Sequence, residues 1–256
     1  MPRVCITGDV HHDLGFNVVP DIEAAKGYIK SIQKFNSKAT LFVTGKCIDE
    51  NRQFWERIPP EIELGAHTYS AWSPMIFRKK LVHWLYDKVF GTEYGPYLYQ
   101  YYDIWRTAKS FEKINMKPVC WRTHGYASNE DTKKILAKFG FKIISDEIAE
   151  GEKIVIKKGN PISVPINAHN DDDIFMFFTE GQEKKMKEEG EKVKHSIFNL
   201  VEQNRDIVTQ LHPICMKILD NFETFETILK TLHDNNYSFC TLTEFVSCAG
   251  DDKSGI

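Results

Sequence analysis

CITGDVHHD, residues 5–13, decides how this chain is read. Its first part is a short apolar run that stops at Gly8, as a buried strand does where it meets a tight turn. Its second part places Asp9, His11 and His12 at the end of that strand. Strand alternation puts Asp9 and His11 on one side and Val10 on the other, with His12 facing elsewhere unless the following loop turns it in. Three more segments close the same way: EIELGAHTYSAW (residues 61–72), CWRTHGYASN (120–129) and DIVTQLHP (206–213). His67, His124 and His212 therefore also stand at expected strand ends. Imidazoles gathered on one face can bind a metal ion or move protons near neutral pH.

Between these ends the pattern alternates. Ile22, Ala25, Tyr28, Ile29, Ile32 and Phe35 have the three/four spacing of one buried helix face, and Pro20 and Asp21 suit its start. Strands are expected at 39–43 and 62–66 with a helix at 50–58 between them. This βαβαβ order implies an α/β protein with a parallel sheet under covering helices. Further on, helices are expected at 104–114, 130–139 and 184–204. Strands are expected at 119–122, 142–145, 154–157, 163–166, 174–178 and 207–211. A last helix carries Phe222, Phe225, Ile228, Leu229 and Leu232, and a strand at 239–242 closes the set. Residues 1–249 read as a single domain, with an aromatic-rich insertion at about 72–102 and a frayed polar tail at 250–256. The insertion lies beside the expected active face, where Trp72 and its neighbours can stack on sugar rings or simply pack as an irregular subdomain.

Bulk properties narrow the function. The 256 residues carry a net charge of −3 and no basic stripe, which argues against a nucleic-acid partner. The run EKKMKEEGEKVK at 183–194 is mixed in sign and reads as a solvated helix face. Six scattered cysteines without CxxC spacing give neither a disulfide framework nor a structural zinc motif. No apolar run reaches the roughly 18 residues of a membrane span. With a strand expected from about Arg3, no secretion signal is expected ahead of the fold, and a cytoplasmic, reducing location follows as the expectation.

The strand ends carry the chemistry. Asp9 at the rim can serve as a general base for a water. Arg122 ends an apolar strand, where an unpaired guanidinium is costly, and Asp9 is its natural partner. His67 follows Gly65 and Ala66, small residues that permit a ligand to approach. His212, stopped by Pro213, is placed to donate a proton to a leaving amine. His12, His124, Tyr126 and Trp72 are candidate substrate contacts, and His124 is equally a candidate ligand. His83, His169, His195 and His233 are expected to be solvated or structural.

These motifs, in this order and across nearly the whole chain, resemble those of the NodB-type polysaccharide deacetylases, carbohydrate esterase family four. Thr7-Gly8-Asp9-Val10-His11 resembles the family's T-F-D-D-G, and His67-Thr68-Tyr69-Ser70-Ala71 its H-[ST]-x-x-H. Arg122-Thr123-His124-Gly125-Tyr126 is similar to R-x-P-x-G, and Thr209-Gln210-Leu211-His212 to L-x-L-H. The strand ATLFVTG (39–45) and the segment SFCTLTEFV (238–246) also have counterparts. The resemblance implies a distorted (β/α) barrel with Asp9 as base, oriented by Arg122, and His212 as acid. It also implies a divalent metal held by His11 and His67, with Asp9 as a further ligand and His12 or His124 as alternatives. The chain departs from the pattern where Val10 replaces a metal aspartate, Ala71 a metal histidine and His124 a proline. An imidazole-rich set suits Zn²⁺ better than Mg²⁺. The implied activity is removal of an N-acetyl or N-formyl group from an amino sugar, as a small molecule or linked to lipid or nucleotide on the way to a surface glycan. Two other readings stand beside it: a non-catalytic carbohydrate-binding relative, and an amidohydrolase acting on a non-carbohydrate C–N bond.

Overall fold

In the computed structural model, which describes residues 1–12, 20–70, 94–179 and 181–251, the opening apolar run extends as β1 over Arg3–Val10. Every residue of β1 except Arg3 is buried, as a central parallel strand requires. The other strands are β2 (Ala39–Val43), β3 (Ile62–Ala66), β4 (Cys120–Trp121), β5 (Ile143–Ile144), β6 (Ile162–Ser163), β7 (Ile207–Val208) and β8 (Ser238–Phe239). They form one parallel sheet in the order β6-β5-β4-β3-β2-β1-β7, with β8 also paired to β1.

The sheet curls until its two ends meet, and Asn167 joins them. Its backbone N–H donates to the Val208 carbonyl at 3.1 Å, and its side-chain oxygen accepts from Val208 N–H at 2.9 Å. Its amide nitrogen donates at 3.0 Å to both Glu152 O and Asp206 O. One fully buried side chain thus supplies the ladder bonds that β6 and β7 are too short to make. The result is the distorted α/β barrel expected from the sequence.

Helices cover the outside: α1 (Asp21–Lys34), α2 (Gly45–Glu50), α3 (Arg52–Trp55), α4 (Tyr97–Glu112), α5 (Glu130–Phe139), α6 (Glu183–Glu202), α7 (Pro213–Asp220), α8 (Glu223–Asp234) and α9 (Leu242–Asp251). α5 has the expected limits because both its ends are marked. Asn129 and Thr132 form a reciprocal capping box, and Gly140 closes the helix in the left-handed conformation.

Several expectations are corrected. The helix expected at 50–58 is two short ones, α2 and α3, since Thr44 caps a turn that already starts at Gly45. The helix expected at 104–114 begins at Tyr97, after Pro96, so the end of the aromatic stretch belongs to α4. Trp72 and the rest of residues 71–93 lie outside the described residues. The apolar run at 174–178 lies largely in a 3₁₀ segment, Asp172–Phe177, and not in a strand. Residues 154–157 make only an isolated bridge, Lys157 to Ser163. The strand expected at 239–242 ends at Phe239, and α9 begins at Leu242 behind a Thr241/Glu244 cap and runs through Gly250 to Asp251, where the tail was expected to be frayed. Among the described residues no helix is long and apolar enough to cross a membrane.

Asn167→Ala should open this seam. It strands one buried donor and two acceptors, each costing about 1 kcal/mol or more, so the loss should reach about 3 kcal/mol. Urea unfolding should show a lowered midpoint; an unchanged midpoint would mean that the barrel closes without this side chain.

Candidate active site

Register alone brings the key residues to one end of the barrel. Val10 lies opposite Val43, Val43 opposite Ala66, and Ala66 opposite Trp121. The residues that follow in β1, β3 and β4 are His11, His67 and Arg122, so all three emerge at the carboxyl edge, where barrel enzymes build their sites. Gly8 brings in the fourth contribution. A Cβ there would lie 2.4 Å from the Leu211 carbonyl, so only glycine lets the chain after β7 approach and set Gln210 and His212 beside Asp9.

Arg122 is fully buried, and each of its three side-chain nitrogens has an acceptor. Nη1 donates to Asp9 Oδ1 at 2.8 Å, Nε to Ser145 O at 3.0 Å and Nη2 to Ser145 Oγ at 3.0 Å. The guanidinium lies over the Phe42 ring at 4.3 Å, and Gly65 makes room for that ring. The expected Arg122–Asp9 pairing is therefore present. Gln210 Nε2 donates to Asp9 Oδ2 at 2.9 Å. Burial works to raise the Asp9 carboxyl, but Arg122 first, then His67 and His212, outweigh it and hold it at about 2.

His212 is charged by a partner that the sequence reading missed. Its Nδ1 is 2.6 Å from Asp171 Oδ1, and its backbone N–H donates to Asp171 Oδ2 at 2.6 Å. Burial pulls the imidazole pKa down, yet Asp171, helped by Asp9 and Asp172, pushes it up to about 9. Nε2 is left pointing towards Asp9 Oδ2, 3.9 Å away. Phe175 packs edge-on against the ring at 4.7 Å, so the 3₁₀ segment that carries Phe175 also walls the site. The only hint of Asp171 in the sequence is the run Asp171-Asp172-Asp173 just before an apolar stretch.

The remaining imidazoles form a group of their own. His11, His67 and His124 each bring one nitrogen within 4.8 Å of the others. His67 Nδ1 is 2.7 Å from the Arg122 carbonyl. A carbonyl only accepts, so Nδ1 carries the hydrogen and Nε2 presents its lone pair inward. His67 Nε2 and His124 Nδ1 are 3.4 Å apart, long for a hydrogen bond. That matches the roughly 3.3 Å between two nitrogens on a tetrahedral ion with bonds of about 2.0–2.1 Å. Neither ring nitrogen of buried His11 finds a hydrogen-bond partner among the described residues. Burial, reinforced by the neighbouring imidazoles, holds His11 well below the ordinary histidine range and His124 at about 3; burial likewise lowers His67. All three are thus neutral, the form that ligates, and this donor set fits a divalent transition ion.

Asp9 is not part of this group. One of its oxygens is committed to Arg122 and the other to Gln210, and His124 stands in the place that the sequence reading gave to Asp9. His12 is not in the three-histidine group, and its Nδ1 instead meets the Glu50 carboxylate on α2. Tyr126 stands at the rim, with Asn170 Nδ2 donating to its hydroxyl at 3.2 Å and the hydroxyl reaching Asp172 at 3.3 Å. Trp72 and Ala71 lie outside the described residues.

No protein-family model and no curated protein matches the chain. Among solved structures it is similar to a Mycobacterium smegmatis protein assigned as a polysaccharide deacetylase: TM-score 0.68, 14% identity, 98% of this chain and 92% of that one. It is similar to a family 4 carbohydrate esterase pseudoenzyme from Bacillus anthracis: TM-score 0.59, 15% identity, 94% of this chain and 64% of that one. It is also similar to a family 4 acetyl xylan esterase from Clostridium thermocellum in complex with a cobalt ion: TM-score 0.58, 17% identity, 96% of this chain and 91% of that one.

The Asp171–His212 pair makes a pH prediction. The folded-state pKa of His212 lies above the roughly 6.5 of an unfolded histidine. The pair therefore adds stability that is complete below that pH and fades as pH rises through about 9. Asp171→Asn should cost stability at pH 6 and much less at pH 10, read from urea midpoints. A gap that does not change with pH would show that the two groups are not coupled. In strand order, curl and flanking helices, the chain has the NodB-type barrel of the family 4 carbohydrate esterases.

Proposed function

We propose that the protein is a metal-dependent hydrolase that removes an N-acyl group, acetyl or formyl, from an amino sugar. One observation carries this reading: a carboxylate held ionised and an imidazole held protonated lie 3.9 Å apart, beside three neutral imidazoles. Two titratable groups pushed to opposite protonation states form an acid–base pair.

His11, His67 and His124 would hold the ion, with Zn²⁺ the best match to an all-imidazole set. When bound, such an ion supplies Lewis acidity towards an acyl oxygen and makes a nearby water more acidic. The chain's own residues do the rest. Asp9, fixed by Arg122 and Gln210, takes a proton from the water as its oxygen bonds to the acyl carbon. His212, anchored through Nδ1 to Asp171, gives its Nε2 proton to the sugar nitrogen as the C–N bond breaks. The proton on Asp9 can then return to His212 across the short gap between them. Carboxylic acid and free amine leave, and the site is restored.

The substrate we assign is a precursor of a surface glycan, linked to nucleotide or lipid and met in the cytoplasm. Six free thiols, of which only Cys248 is exposed, support a reducing location. A second reading is a sugar-binding relative without turnover. It is supported by the pseudoenzyme among the solved neighbours and by histidines where the family pattern has an aspartate and a proline.

A panel of N-acetyl and N-formyl amino sugars, assayed for free amine with added Zn²⁺, Co²⁺ or Mn²⁺, separates the two. The hydrolase reading predicts metal-stimulated amine release. It also predicts that Asp9→Asn lowers turnover by about 10²–10⁴-fold while leaving metal content unchanged. Metal bound at the three histidines with no amine released from any member would favour the binding relative. Normal turnover by Asp9→Asn would remove Asp9 from the role of base.

A further inference from the structure

A second group of donor atoms lies away from the barrel end. His169, Asp173 and Glu189 each bring one atom within 4.8 Å of the others. His169 precedes the 3₁₀ segment that carries Asp173, and Glu189 sits on α6. Beside them opens a hollow of about 890 Å³, bordered by Glu150 and His169 and lined along α6 by Glu188 and Glu191, roomy enough for waters to complete a coordination shell.

The arrangement has a mismatch that a chance cluster of acids would lack. Glu189 is only 9% exposed. Its Oε1 takes the Lys192 ammonium at 2.6 Å, which fixes the carboxylate. Its Oε2 is buried and finds no hydrogen-bond partner among the described residues. Facing that oxygen, 4.0 Å away, is Nε2 of His169. The other ring nitrogen, Nδ1, is 2.9 Å from Glu150 Oε1, and the backbone N–H of His169 donates to Ser196 Oγ at 2.9 Å, so the ring is held from two sides. A carboxylate accepts, so Nδ1 carries a hydrogen there, and Nε2 is the nitrogen turned towards Glu189. His169 Nε2 and the buried Glu189 Oε2 face each other across 4.0 Å. That gap is too wide for a shared proton. A tetrahedral ion with bonds of roughly 2.0–2.2 Å would draw the two atoms to about 3.3–3.6 Å, a small closure from the separation seen. Glu150 behind His169 is the carboxylate–histidine support commonly found behind a metal-bound imidazole.

We propose that His169, Asp173 and Glu189 form a second divalent-cation site, for an ion of the zinc class, that clamps residues 169–173 to α6. Asp171 lies between two of the three ligands, and its carboxylate holds His212 at 2.6 Å. The ion therefore braces the segment that orients the imidazole at the barrel end. Lys192 neutralises only part of the local charge, because Glu150, Glu188, Glu191 and Asp173 surround it. The inference does not depend on the catalytic reading.

Equilibrium dialysis of chelator-stripped protein against Zn²⁺, followed by metal analysis, tests it. His169→Ala and Asp173→Asn should each bind one zinc fewer than wild type, and His67→Ala should retain this zinc. Asp173 is exposed, so its substitution leaves the fold intact even if His169→Ala destabilises it. In the His67→Ala background, zinc should raise the unfolding temperature, and adding Asp173→Asn should remove that rise. Zinc uptake by His169→Ala and Asp173→Asn equal to wild type would overturn the proposal, whatever His67→Ala binds.

Discussion

The site is organised around a guanidinium buried with no access to water. Arg122 cannot lose its charge, so the barrel must surround it with acceptors, and those acceptors set the rest. Asp9 is drawn to it and becomes a fixed, ionised carboxylate. Ser145 binds it from the next strand end through both backbone and hydroxyl. The backbone carbonyl of Arg122 itself takes the Nδ1 hydrogen of His67 and so decides which nitrogen that ring turns inward. One residue thus fixes both the carboxylate and an imidazole of the three-histidine group. Removing a single partner of such a buried pair is expected to cost about 3–5 kcal/mol, because the other charge is left uncompensated.

Opposite charge states are maintained over a few ångströms by specific neighbours. His212 would be neutral by burial but is charged by Asp171, and Asp9 would be protonated by burial but is ionised by Arg122. At His11, His67 and His124 burial is the largest influence and lowers each imidazole below the ordinary histidine range. His212 is set apart from these neighbouring imidazoles by the Asp171 carboxylate at hydrogen-bond distance from its Nδ1.

Much of this was legible in the sequence. Residues 39–43 and 62–66 are strands with the expected limits: the first is a short, largely apolar run, and the second has apolar residues on either side of Glu63. Arg122 required an acid, and Asp9 supplied it. What escaped reading depended on contacts between distant parts of the chain. Asp171 looks like one of three solvated aspartates until the fold lays it against His212. Pro213 reads as the end of a strand but opens α7, a position where its missing N–H costs nothing. The start of α9 was detectable, since Thr241 and Glu244 form a capping box, and Thr241 falls inside the strand expected at 239–242. His124 could be only a candidate before β4 and the turn after it placed its ring beside His67.

The account stands on the three-imidazole group holding a divalent ion next to the Asp9–Arg122 pair. Crystals grown with Zn²⁺ and measured across the zinc absorption edge test this most directly. The account predicts an anomalous peak within bonding distance of His11, His67 and His124. A map with no peak among these rings, or with the rings turned away from one another, would contradict it.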